Sequence, residues 1–214
     1  MRALVTRRRA AAAILAASLL LAACKAQAPA PALTQPTWPA PTNAMALAAH
    51  AGLEPTLKEF LLTHTHAHLD IRVDGHAVVV PAGIGINIAA PIGIDAHKTL
   101  DGTATEYFVT LCVTLCLSPL HTHDPGGLLL TESITPNAPA HTLGQFFTEW
   151  GVRLDASCVG EFCKANTSIA IYLDGTQYTG NPADIKLKSH LEIAIIIGTP
   201  PTVLPKSFDF GDQP

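Results

Sequence analysis

The chain has 214 residues, of which 48% are hydrophobic and 14% charged, and its formal net charge is −4. Four of its 13 basic residues are arginines within the first 23 positions, so 9 basic residues remain against 17 acidic ones in the rest of the chain. Such an acidic surface argues against nucleic acid or anionic lipid headgroups as binding partners, and it favours cations.

The N-terminus has the pattern of an export signal. Arg2 and residues 7–9 form a basic region, and residues 10–21 form an apolar run that is too short to span a membrane. The run ends in Leu-Ala-Ala-Cys24, which resembles a bacterial lipobox, and this resemblance implies cleavage before Cys24 and lipid attachment to it. We therefore predict a lipid-anchored protein on the periplasmic side of a membrane, which is the outer membrane in a Gram-negative host. The alternative is an ordinary signal peptide with a chance cysteine.

Composition divides the chain after this signal. A Pro/Ala-rich segment with almost no charge is typical of an extended tether, and the residues that follow suffice for one domain. A short repeat, Ile71-Arg-Val-Asp-Gly75 against Ile171-Tyr-Leu-Asp-Gly175, suggests two related halves within that domain. The predicted organisation is a signal peptide (1–23), a tether (24–46), a globular domain (47–200, with halves 47–137 and 138–200) and a tail (201–214).

Sequence patterns in the globular part predict an α+β fold with a mainly antiparallel sheet. The clearest helix begins at Thr142, where Gln145 completes a capping box, and it ends at Gly151. Asp-Gly pairs at 74–75 and 174–175 predict two hairpins, and the resulting arrangement suggests two β-grasp-like halves. The remaining predicted elements are a helix over 45–53, strands over 63–73, 76–80, 128–133, 169–173 and 190–198, and one or two long strands over 105–117.

The histidines carry the main functional signal. His64, His66 and His68 occupy alternate positions before Asp70, and His121 and His123 repeat this spacing before Asp124. Alternate residues of a strand share one face, and neutral imidazole is the commonest metal ligand in proteins. His64 and His68 would lie about 13 Å apart on an extended strand, so one ion cannot bind all three.

We predict a copper or zinc site made by four histidines, with two aspartates as hydrogen-bond acceptors for the imidazoles. The predicted ligands are His66, His68, His121 and His123, with His64 as a further candidate, and the predicted acceptors are Asp70 and Asp124. This hypothesis requires the two histidine strands to be neighbours. The alternative is that the histidines are exposed or serve only as hydrogen-bonded core residues.

The cysteines allow several arrangements. Four cysteines besides Cys24 form an even set, and in an oxidising compartment disulfides are the default. Cys158 and Cys163 can close a small loop. Cys112 and Cys116 cannot bond to each other on one extended strand, so either the chain turns between them or they pair elsewhere. A third reading makes Cys116 a thiolate ligand of the metal, which would favour copper.

Several motifs together resemble those of a family of uncharacterised exported bacterial proteins. The matching stretches are His-x-His-Leu-Asp (66–70), Asp-Gly (74–75), Pro-Ala-Gly-Ile-Gly (81–85), Cys-x-x-x-Leu-His-Thr-His-Asp (116–124) and Leu-Gly-Gln-Phe-Phe-x-x-Trp-Gly (143–151). The resemblance covers roughly residues 52–198 and implies that the two histidine motifs belong together. The chain departs from the family in residues 128–132, where family members carry a further histidine. The family implies no settled activity.

Three functions fit these observations. The first is a metal-binding envelope lipoprotein in metal handling or delivery, with the membrane as one partner and a metal-exchanging protein as another. The second is a metal-dependent enzyme with an open histidine-ligated site, in which Glu132 or Asp124 would be the general base. The third is a structural or interaction lipoprotein without metal.

Overall fold

The computed structural model describes residues 31–59 and 62–211, so the predicted signal peptide and Cys24 lie outside the described residues. Within these ranges strands dominate the secondary structure, and one 3-10 turn occurs at Pro182–Asp184. The helices of the described residues are α1 (Ala44–His50) and α2 (Leu143–Trp150). The strands are β1 (Thr63–Val73), β2 (His76–Val78), β3 (Ile94–Lys98), β4 (Thr105–Val109), β5 (Leu120–His121), β6 (Leu128–Ser133), β7 (Cys158–Val159), β8 (Phe162–Cys163), β9 (Ile169–Leu173), β10 (Thr176–Tyr178) and β11 (Leu191–Ile197).

A mixed seven-stranded sheet is the centre of the fold. Its order is β10-β9-β11-β1-β6-β5, and β2 pairs with the second half of β1. β1 runs parallel to β11 and antiparallel to β6 and β2, and the other pairs within the sheet are antiparallel. Two further pairs, β3–β4 and β7–β8, form separate small sheets. The fold is thus of the α+β type, with short helices and mostly antiparallel strands.

Helix α2 packs against one face of this sheet. Thr142 and Gln145 make the reciprocal bonds of a capping box, and Gly151 ends the helix at φ 74°. Leu143, Phe146, Phe147 and Trp150 of α2 share one core with alternate β1 residues, Ala67 to Val73. Burial of each large apolar side chain stabilises the fold by about 1.5–3 kcal/mol, so this contact fixes which face of β1 is internal.

Both predicted Asp-Gly hairpins are present, as β1–β2 and β9–β10. Asp74 and Gly75 have φ values of 48° and 80°, and Asp174 and Gly175 have 49° and 75°, which are the angles of type I′ turns. Both hairpins belong to the same sheet. The division into two related β-grasp-like halves therefore stays a prediction.

The described part of the predicted tether packs against the domain. Trp38 meets Trp150 edge to face at 5.7 Å between ring centroids, and its carbonyl accepts the indole N–H of Trp150 at 3.0 Å. The backbone N–H of Leu33 donates to Asp74 at 2.6 Å. Residues 33–40 thus extend the core, and α1 begins at Ala44, inside the predicted tether.

Two disulfides join Cys112 to Cys116 and Cys158 to Cys163. One or two long strands are predicted over 105–117, but the structure has a strand only over Thr105–Val109, and the chain then bends so that the Cα atoms of Cys112 and Cys116 lie 6.3 Å apart. The prediction of Cys116 as a thiolate metal ligand is wrong, because its sulfur is held in this bond. Within the described ranges, no helix has both the length and the apolar character needed to cross a membrane.

Candidate metal site

The two His-x-His motifs face each other across one intervening strand. Leu130 of β6 is the register partner of His66 on β1 and of His121 on β5. Neighbouring strands lie about 4.8 Å apart, so the Cα atoms of His66 and His121 are about 10 Å apart with their side chains on the same face. The hypothesis that the two histidine strands are direct neighbours is wrong, because β6 lies between β1 and β5.

Backbone carbonyls orient His121 and His123. Nδ1 of His121 donates to the carbonyl of Ser118 at 2.9 Å, and Nδ1 of His123 donates to the carbonyl of Tyr107. Since a carbonyl can only accept, both Nδ1 atoms carry hydrogen, and in a neutral ring each Nε2 then has a lone pair. The two Nε2 atoms are 3.1 Å apart. Two lone pairs at this distance repel each other unless a proton or a metal ion lies between them.

Glu59 completes a group of three metal-binding side chains. Its Oε1 lies 3.2 Å from Nε2 of His123, and the ligand atoms of Glu59, His121 and His123 all lie within 4.8 Å of one another. Ligands at 2.0–2.1 Å from a tetrahedral zinc ion are separated by about 3.3 Å, close to the 3.1 Å between the two Nε2 atoms and the 3.2 Å between His123 and Glu59. Two histidines and a glutamate are a known ligand set for zinc, so this group can hold a metal ion.

His64, His66 and Glu132 lie beside this group. The ring centroids of His64 and His66 are 4.7 Å apart, and Nε2 of His64 is 3.9 Å from Oε1 of Glu132. His66 and Glu132 are buried, and His64 is largely so. His64 and His66 are close enough to His121 to lower its pKa. We therefore treat His64, His66, His121 and His123 as one histidine cluster.

The two central histidines differ in protonation. Complete burial, and then the neighbouring His123, lower the pKa of His121 well below its ordinary value. Burial also opposes the charging of His123, but hydrogen bonds to Glu59 and to the Tyr107 carbonyl outweigh burial and raise its pKa. Of these two rings, His123 therefore takes up a proton more readily than His121. A metal ion bound between these rings must displace that proton.

The structure does not bring His68 to this cluster. Its Nδ1 lies 2.6 Å from Oε2 of Glu192, its Nε2 lies 2.9 Å from the carbonyl of Gly126, and its ring stacks on Phe208 at 3.9 Å. Both ring nitrogens are thus engaged in protein contacts. The member of the first motif that joins His66 at the cluster is His64, two residues earlier on the same face of β1.

The two aspartates predicted as acceptors for the imidazoles have other roles. Both carboxylate oxygens of Asp70 accept hydrogen bonds from Arg72 at 2.8 Å. Asp124 accepts the backbone N–H of Gly126 at 2.6 Å and so shapes the turn before β6. Within the described residues, backbone carbonyls rather than these carboxylates orient His121 and His123.

Sequence reasoning missed Glu59. It precedes β1 without any periodic pattern, and only the folded path of residues 54–59 brings it to His123. Thr56 on that path pairs with Leu117, four residues before His121, which places the segment over the site. No motif in the sequence pointed to this contact.

No family model, curated protein or solved structure matches this chain. The resemblance of its motifs to exported bacterial proteins therefore stays a prediction, and the site alone supports a function.

Proposed function

We propose that this protein is a lipid-anchored metal-binding protein of the cell envelope that takes up copper or zinc for handling or delivery. The observation that carries the proposal is the pair of Nε2 atoms 3.1 Å apart on His121 and His123, with both Nδ1 atoms committed to carbonyls. Once His123 loses its proton, each of these Nε2 atoms offers a lone pair, and Glu59 adds a carboxylate 3.2 Å from one of them. A bound metal ion would satisfy all three groups at once.

Several features support the location and the choice of metal. Two disulfides are compatible with an exported protein, as is the lipobox resemblance at Cys24. Imidazole and carboxylate ligands suit zinc and copper(II), whereas copper(I) prefers the thiolates that the disulfides remove. The binding of metal would release a proton from His123. A partner protein of the same compartment would supply or receive the ion.

The metal content of residues 25–214 tests this proposal. The protein is stripped with a chelator, titrated separately with Zn²⁺ and Cu²⁺, and compared with His121→Ala. We expect tight binding by the parent and at least a hundredfold weaker binding by the variant, because His121 is central to the ligand group. The matched control is His50→Ala, which removes an exposed histidine at the end of α1 and should bind like the parent. Equal binding by the parent and His121→Ala, or no binding by the parent, would refute the proposal.

A metal-dependent enzyme is the second candidate function, because Glu59, His121 and His123 leave a fourth position for water around a tetrahedral ion. Glu132 or Asp124 would be its general base, and in Asp124 that role would fall to Oδ2, because Oδ1 accepts the N–H of Gly126. X-ray absorption of the zinc-loaded protein distinguishes the two functions. A coordination shell filled by protein atoms supports handling, and a bound water that azide displaces supports an enzyme.

A further inference from the structure

We infer that the histidine cluster has a second metal position, formed by His64 and Glu132 beside the group of Glu59, His121 and His123. The ligand would be a divalent first-row transition ion, as at the first position. This inference rests on the proposed metal-binding function and extends it from one ion to two.

The first argument is the state of the His64 ring. Its Nε2 is shielded from solvent and has no hydrogen-bond partner among residues 31–59 and 62–211. A buried ring nitrogen without a partner is unfavourable, and such a group in a native structure calls for an explanation. A metal ion would supply the missing partner without any rearrangement of β1.

The distance between His64 and Glu132 is the second argument. Nε2 of His64 and Oε1 of Glu132 are 3.9 Å apart, which is too far for a hydrogen bond. Two ligands that each lie about 2.0–2.1 Å from one ion are separated by about 3.3 Å at a tetrahedral angle and by about 4.1 Å when opposite. The observed separation falls within this range. The pair is therefore spaced for one shared ion with a wide angle between its ligands.

Charge gives the third argument. The side chain of Glu132 is 1% exposed, and a carboxylate at such depth is stabilised by a cation. The ring nitrogen of His64 that lacks a hydrogen-bond partner among the described residues lies 3.9 Å from this carboxylate. A divalent ion would neutralise the carboxylate of Glu132 and bind the imidazole of His64.

Strand register fixes where the second position lies relative to the first. Glu132 is the partner of His64 in the β1–β6 ladder, and the next pair on the same face is His66 with Leu130. Two residues along a strand correspond to about 7 Å. The second ion, at the level of His64, would therefore lie about 7 Å along the strand direction from the level of His66 and His121. His66 stands between the two positions, with its ring 4.7 Å from that of His64.

The test counts metal ions per chain in residues 25–214. The chelator-treated protein is titrated with Zn²⁺, and bound metal is measured after dialysis. We expect two equivalents in the parent, one in His64→Ala and one in Glu132→Gln. His123→Ala should also lose one equivalent, from the other position, and His50→Ala should keep two. Thermal unfolding in chelator verifies that each variant is folded, and Glu132→Gln preserves side-chain volume in case His64→Ala is unstable.

The outcomes separate this inference from the proposed function. A parent with one equivalent, lost in His123→Ala and kept in His64→Ala and Glu132→Gln, overturns the second position and leaves the proposed function intact. Two equivalents in the parent that both survive in these two variants also overturn it. A parent without bound zinc or copper overturns the proposed function itself. Loading with Cu²⁺ gives an independent readout, since two ions about 7 Å apart should show dipolar coupling in the electron paramagnetic resonance spectrum, and its absence at full loading would contradict the inference.

Discussion

Glu149 is predicted to make the stability of the domain depend on pH. Its side chain is completely buried on the core side of α2, among the aromatic residues of that helix, and lies beside Ser118. Burial raises its pKa from 4.5 to about 8, against a smaller opposing effect of the nearby Ser118 hydroxyl, and neither carboxylate oxygen has a hydrogen-bond partner in the described structure. The folded protein therefore holds a proton between pH 4.5 and 8 that the unfolded chain releases. Stability must fall as pH rises through this window.

The size of the effect follows from the shift. Each pKa unit corresponds to about 1.4 kcal/mol, so the full shift from 4.5 to about 8 corresponds to about 5 kcal/mol. The substitution Glu149→Gln keeps the shape of the side chain and removes the titration. We expect its free energy of unfolding to exceed that of the parent by about 3–5 kcal/mol at pH 8 and by less than about 1 kcal/mol at pH 5.

Urea unfolding in the presence of a chelator, followed by the fluorescence of Trp38 and Trp150, measures this difference without a contribution from metal. Glu54→Gln is the matched control, because Glu54 is exposed and its replacement should change stability by no more than about 0.5 kcal/mol at either pH. A difference between Glu149→Gln and the parent that does not vary between pH 5 and pH 8 would refute the reasoning. Destabilisation by this variant at pH 8 would refute it as well.

Three further predictions concern the metal site and the N-terminal segment. Zinc affinity should fall about tenfold per pH unit as pH decreases through the raised pKa of His123, and calorimetry in two buffers should show proton release on binding. Leu130→His should tighten zinc binding at least tenfold in competition titrations, because Leu130 lies between His66 and His121 in the ladder. Unchanged affinity would contradict the idea that His66 and His121 face the same site. Trp38→Ala should lower the free energy of unfolding by about 2–3 kcal/mol in urea, and a neutral effect would show that residues 33–40 do not belong to the core.

Local patterns in the sequence were sufficient for the helix and the hairpins. The capping box at Thr142 and the apolar stripe that follows it determine α2 without help from the rest of the chain. The Asp-Gly pairs at 74 and 174 determine their turns in the same way, because few other residues adopt both positive φ values. By contrast, the one or two long strands predicted over 105–117 are shortened to Thr105–Val109, because the Cys112–Cys116 bond requires a bend that β propensity does not reveal.

The site depends on contacts between distant parts of the chain, and the sequence gives these only in part. Periodicity shows that His64, His66 and His68 share one face, but it cannot tell which of them meets the second motif. That choice depends on the register of β6 between β1 and β5, which aligns His66 with His121. Glu59 reaches the cluster through an irregular segment, and irregular segments carry no periodic signal.

The polar face of β1 thus serves three purposes along its length, and the neighbouring elements decide each one. At its start, His64 and His66 lie beside the group of Glu59, His121 and His123, which can hold a metal ion. In its middle, Glu192 of β11 and Phe208 of the C-terminal segment contact His68. These contacts give His68 a structural role, although its sequence pattern predicts a metal ligand. At its end, Asp70 is paired with Arg72. The same alternating pattern therefore contributes to a candidate metal site only where other segments bring imidazoles and carboxylates close to it.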